Sequence, residues 1–71
     1  MSIAVNTRNQ FRGRVANIRR GSVVSEVEVS TPTGVISAVV TTSSIEQLDL
    51  RIGEEAIALF KATDVLVARV G

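Results

Sequence analysis

Apolar and polar residues alternate along most of this chain with a period of two, not the three and a half of a helix. Phe11, Gly13 and Val15 fall on one side of an extended segment, while Arg12 and Arg14 fall on the other. That is the mark of a strand with one wet face. The phase slips at Ala16 and Ile18, which predicts a bulge near Ala16-Asn17, and Gly13 predicts a bend at a barrel corner. A first strand is therefore expected from Phe11 to Ile18. It is closed by the turn Arg19-Arg20-Gly21-Ser22, with Gly21 free to take positive φ. The second strand, Val23 to Ser30, sets Val23, Ser25, Val27 and Val29 on one face and Glu26 and Glu28 on the other. Across a hairpin those glutamates are expected to pair with Arg12 and Arg14, which describes a solvated face.

Thr31-Pro32-Thr33-Gly34 carries Pro and Gly at the second and fourth positions of a turn, and a third strand follows from Val35 to Thr42. Ser43-Ser44-Ile45-Glu46 matches a capping box, a hydroxyl with Glu three residues later. It predicts a helix of one or two turns ending near Asp49, with Ile45 and Leu48 inside. Arg51-Ile52-Gly53-Glu54 turns into a fourth strand, Glu55 to Lys61, and a fifth runs from Val65 to Val70. At the front, Met1 to Val5 is a short apolar lead, read as an edge strand or an arm, and Asn6 to Gln10 is a polar loop. The sum is an all-β domain: a small five-stranded OB-like barrel with one short helix between strands 3 and 4.

The last two strands are apolar on both faces. Ile57 and Leu59 alternate with Ala56, Ala58 and Phe60, and Val65 and Val67 alternate with Leu66, Ala68 and Val70. Such strands are buried on both sides, yet a small barrel has one interior. The second face is expected to meet another copy of the chain. Length agrees. A 71-residue chain without Cys or His has neither disulfides nor thiolate or imidazole metal sites to reinforce a core of that size. Homo-oligomerisation is the remaining device.

Composition narrows the function. Val outnumbers Leu by 12 to 4, as a β domain requires. The absence of Cys fits the cytoplasm, no apolar run reaches a membrane span, and Met1 to Val5 is too short for a secretory leader. With no His, Cys or Tyr, the common triads and thiol nucleophiles are impossible, and no Gly-rich phosphate loop occurs. A catalyst is not expected, nor direct protein-to-metal ligation. An OB-like barrel also suggests nucleic acid, but that needs a basic groove with aromatic platforms. The net charge is only +1, Trp and Tyr are absent, and Phe11 and Phe60 are wanted in the core. Nucleic-acid or membrane partners are not expected. A nucleic-acid-binding or regulatory interaction module stays as the alternative.

Small-anion binding is the remaining class. Arg8 lies in a polar cluster without a carboxylate, and Lys61 lies in the corner Phe60-Lys61-Ala62-Thr63-Asp64-Val65 between two apolar runs. Thr41 and Ser44 flank the helix start, where unpaired N–H groups favour negative charge. Each has an ordinary explanation as well: a surface charge, a polar turn, a cap. The residues alone leave both readings open.

Three segments together resemble the molbindin (Mop) family of small cytoplasmic molybdate-binding proteins. They are Asn6-Thr7-Arg8-Asn9-Gln10-Phe11-Arg12-Gly13-Arg14-Val15, Ser44-Ile45-Glu46-Gln47-Leu48 and Lys61-Ala62-Thr63-Asp64-Val65. The likeness covers essentially the whole chain as one module, residues 1–71. The same module occurs in molybdate-responsive regulators and transporter ATPases, but no such segment is attached here, which favours free-standing storage. The resemblance implies a hexamer arranged as a trimer of dimers, binding molybdate or tungstate between subunits. The family's ligands map to Arg8, Thr41, Ser44 and Lys61, with a backbone N–H from Ala62. A further class of sites nearer the trimer axes is implied, for which the Gly21-Ser22 turn is the candidate. The family usually reads Ser-Ala-Arg-Asn where this chain has Asn6-Thr7-Arg8-Asn9. The serine's role therefore falls to the Asn6 amide or the Thr7 hydroxyl.

Overall fold

The computed structural model describes residues 6–71; the expected edge strand or arm at Met1 to Val5 lies outside the described residues. Four antiparallel strands form one curled sheet in the order β3-β2-β1-β4. They are β1 (Asn9–Arg19), β2 (Val24–Thr31), β3 (Gly34–Thr41) and β4 (Glu55–Phe60), with one helix, α1 (Thr42–Leu48), between β3 and β4. The result is a half-barrel. The inward residues Val15, Val27 and Val29, together with Ile45 from α1, make the buried core, and Ile18, Val40, Leu50 and Ala56 pack around it.

Strand β1 is the spine, since it pairs with β2 along one edge and β4 along the other. Its register slips between Val15 and Asn17, where the alternation breaks in the sequence. Just past the Arg14–Glu55 pair, the Val15 backbone is bonded on the β4 side as well. Val15 N–H donates to Glu54 O (2.9 Å) and Gly53 N–H donates to Val15 O (2.8 Å), which straps the turn before β4 onto the spine. Gly13 is required by crowding: a Cβ there would lie 1.9 Å from the Ser30 carbonyl oxygen.

Several expectations are corrected. Gly21 does not take positive φ; a Cβ would lie 2.3 Å from Val24 O, so the turn needs its small size. Glu26 and Glu28 do not pair with Arg12 and Arg14. The hairpin register sets Arg19 opposite Glu26 and Asn17 opposite Glu28, and the ion pairs these side chains make are Arg19–Glu26 (3.9 Å) and Arg12–Glu55 (3.6 Å). Arg14 donates instead to Gly53 O at 3.0 Å. Val23 falls in the turn and is exposed; β2's buried face starts at Ser25. The Ser25 hydroxyl is satisfied by Thr42 Oγ1 (2.6 Å) and by Gly21 N–H (3.2 Å).

The helix cap also differs from the capping box. Thr41, extended at φ −69° and ψ 144°, is the N-cap, and its hydroxyl accepts from Ser44 N–H at 3.2 Å. The sequence offers four hydroxyls in a row, and the cap falls on the one whose backbone is still in β geometry. Ile45 is fully buried, but Leu48 stays 69% exposed because it projects over the mouth of the groove left between the free edges of β3 and β4. That apolar groove has a volume of about 600 Å³. The expected fifth strand, Val65 to Val70, forms no ladder with the other described residues, and Leu66, Val67 and Val70 are at least 94% exposed.

Candidate functional site

Antiparallel pairing of β1 with β4 sets Asn9 opposite Phe60, so the loop entering β1 and the corner leaving β4 meet at one end of the sheet. The corner is short because it turns at once. Lys61 is extended (φ −80°, ψ 153°) and Ala62–Asp64 makes a single 3-10 turn, closed by Asp64 N–H donating to Lys61 O at 2.9 Å. The loop is folded on itself by Gln10, whose backbone N–H donates to Arg8 O (3.1 Å) and whose side-chain amide donates to Thr7 O (2.6 Å). One bond joins the two pieces: the Thr7 hydroxyl donates to Phe60 O at 2.7 Å, across 53 residues of sequence.

Between them lies a cleft of about 460 Å³ lined by Asn6, Thr7, Arg8, Asn9, Lys61, Ala62 and Thr63. No carboxylate is among the lining residues. Arg8 and Lys61 are both exposed, and neither belongs to an ion pair among the described residues. Two like charges facing one cleft repel each other. An anion between them would be attracted by both, while Asn6, Asn9 and Thr63 add neutral hydrogen-bonding groups. Phe11 and Phe60, close in sequence to the two cleft segments, stack with ring centroids 5.7 Å apart.

Five of the seven expected residues, Asn6, Thr7, Arg8, Lys61 and Ala62, thus share this cleft. Thr41 and Ser44 do not reach it within one chain. Thr41 pairs with Val24 at the end of the sheet where β1 finishes, and β1 has eleven residues, roughly 30 Å of strand path from the cleft. There the two hydroxyls hydrogen-bond each other at 2.5 Å. Asn9 and Thr63 were not singled out from the sequence as site residues. The signal available was adjacency: a tight loop and a single turn bring neighbours to the same cavity wall. Among the described residues no group of His, Cys, Asp and Glu could hold a metal ion, and no helix is long and apolar enough to cross a membrane.

Residues 6–67 match the family described as the TOBE domain. The chain belongs to the TOBE family. This TOBE domain is 39% identical over 64 residues to a protein of Haemophilus influenzae named "Probable molybdenum-pterin-binding protein", covering 89% of this chain and 93% of the relative. Its fold superimposes on MopII from Clostridium pasteurianum with a TM-score of 0.87 at 31% identity, covering 93% of this chain and all of that one. A molybdate-binding protein from Sporomusa ovata gives the same TM-score at 28% identity, over 94% of this chain and all of that one. The Mop resemblance read from the three sequence segments therefore holds for nearly the whole TOBE domain, and the names of these relatives describe binding proteins.

Proposed function

We propose that this TOBE domain binds molybdate, or tungstate, reversibly as a store of the oxyanion in the cytoplasm. The binding sites lie in seams between copies of a homo-oligomer, a hexamer built as a trimer of dimers. The observation that carries the reading is the cleft that Arg8 and Lys61 line together, with no carboxylate among its lining residues. Arg8, Lys61 and the Ala62 N–H donate to the anion from one copy, with Asn6 or Thr7 supplying a neutral donor. Thr41 and Ser44 donate from another copy, since they stand at the opposite end of their own sheet. A tetrahedral dianion without a proton suits a pocket of donors. Phosphate, largely protonated on one oxygen near neutral pH, would bring an O–H with no acceptor, at a cost of about 1–3 kcal/mol.

Support for assembly comes from the unfinished barrel. The groove between β3 and β4 is apolar and open, while Leu66, Val67 and Val70 hold their side chains almost wholly in water. Apolar surface of that extent is a feature of interaction sites. Pairing of residues 65–70 with another copy would supply the fifth strand.

Calorimetric titration tests the proposal. Molybdate should bind in preference to sulfate. Arg8→Ala and Lys61→Ala should each weaken molybdate binding about 10- to 100-fold, as expected for loss of a charge-assisted hydrogen bond, while the circular dichroism spectrum stays unchanged. Equal binding of the two anions, or unaltered affinity in both variants, would overturn it.

A further inference from the structure

We infer that Thr7 is a positioning residue that latches the two walls of the cleft together, and that Asn6 is the neutral side chain left to donate to the anion. The inference rests on the oxyanion reading and assigns roles within that site. A threonine hydroxyl has one hydrogen. In Thr7 it is directed at Phe60 O, 2.7 Å away, while the same oxygen accepts from Asn9 N–H at 3.3 Å. The hydroxyl is occupied as donor and as acceptor, so it has no hydrogen to offer an anion. Asn6 lines the same cleft, is exposed, and its side-chain amide makes no hydrogen bond among the described residues.

The latch sits at a point of mechanical consequence. Asn9–Phe60 is the last β1–β4 pair at this end of the sheet, and beyond it the backbone ladder stops. The Thr7 hydroxyl takes over there, bonding the carbonyl that immediately precedes Lys61. On its own side, the turn after Lys61 is held by the Asp64-to-Lys61 bond at 2.9 Å and a longer Val65-to-Ala62 bond at 3.4 Å. Without the latch, the Phe60 carbonyl loses the Thr7 donor from the opposite wall, and the Lys61 wall is free to swing from the Arg8 wall. A two-cation site depends on that spacing.

Hydrogen exchange and calorimetry on the full chain separate a latch from a ligand. Thr7→Val keeps the shape and deletes the hydroxyl; Thr7→Ser keeps the hydroxyl. In anion-free protein, Thr7→Val should speed exchange at the Asn9, Asp64 and Val65 amides about three- to tenfold, weaken molybdate binding, and be rescued in both respects by Thr7→Ser. Asn6→Ala should weaken molybdate binding about tenfold with those amides unchanged. If Thr7→Val lowers affinity while anion-free exchange is untouched and Asn6→Ala binds normally, Thr7 is the ligand and the inference is overturned. If the unaltered chain binds no molybdate yet Thr7→Val still speeds exchange, the oxyanion reading and the Asn6 assignment fall while the latch stands. Should Thr7→Val not fold, Thr7→Ala takes its place with the same readouts.

Discussion

Adding one methyl group at Gly13 should destabilise the domain, although the same change usually helps a loop or strand. Gly13 lies on β1 just before the bulge, and its Cα faces the Ser30 carbonyl of β2. A Cβ there would stand 1.9 Å from that oxygen and 2.8 Å from the carbonyl carbon. Tolerable C···O contacts between strands are about 3.3–3.6 Å, so β1 and β2 must part by more than about 1 Å. The obstacle is main chain, which cannot rotate away as a flexible side chain would. Parting the strands stretches the ladder around Arg14–Ser30 and Val15–Val29, and Val15 is one of the buried core residues. Overpacking with a backbone shift costs about 1–3 kcal/mol. Against it stands the entropy that alanine removes from the unfolded chain, about 0.4–1 kcal/mol. The steric cost wins, leaving roughly 1–2 kcal/mol, or about 4–16 °C in Tm for a domain of this size. Urea unfolding of Gly13→Ala and the parent, at equal protein concentration and without added anion, reads the difference as a shift in midpoint at unchanged slope. A Gly13→Ala protein as stable as the parent would refute the reasoning, and with it the close approach of the two strands.

Two further outcomes are expected. Ile45→Ala removes the only fully buried residue of α1 and should cost about 2–5 kcal/mol. That is a large fraction of the total for 71 residues, so the thermal unfolding midpoint should collapse; a loss under 1 kcal/mol would mean that the helix is not what seals the core. Molybdate at a hundredfold excess over its Kd should raise stability by about 2.7 kcal/mol. It should do so with a stronger dependence on protein concentration than sulfate shows, as scanning calorimetry can measure, and equal effects of the two anions would contradict seam binding.

The strands were legible because alternation reports a face, and the face is fixed by the fold. β1 to β4 fall within two residues of their expected bounds, and the phase slip at Ala16 became the Val15–Asn17 bulge. Pairing was less legible, since register depends on where a turn tightens and where a bulge inserts. Arg12 and Arg14 therefore found Glu55 and Gly53, not Glu26 and Glu28. The cap moved from Ser43 to Thr41 because neighbouring hydroxyls are equivalent in sequence and differ only in backbone angle. Leu48 and residues 65–70 show a different limit. Apolar periodicity says that a residue should be covered, not which chain covers it. At the site, Arg8 was recognisable as a charge without a local carboxylate and Lys61 as a cation at a strand corner, but their meeting depends on the Asn9–Phe60 pair. The Thr7–Phe60 bond had no signal at all in the chain's pattern.

The openness of the cleft bears on how selectivity could arise. In one chain Arg8 and Lys61 are solvated, and an anion meeting them there would exchange water for donors at little gain, since exposed ion contacts contribute about 0–1 kcal/mol. Covering the cleft changes the balance: excluding water strengthens each charge-assisted hydrogen bond and makes any unmatched group expensive. Thr41 and Ser44 suit a covering surface, because their hydroxyls now satisfy each other and can rotate toward an acceptor that offers more. On the proposed reading, discrimination between molybdate and phosphate therefore arises only when copies close over one another. A single half-barrel holding the right cations should be a weak and poorly selective binder, and the Thr7 latch matters because the covering copy must find the two cations already at a fixed spacing.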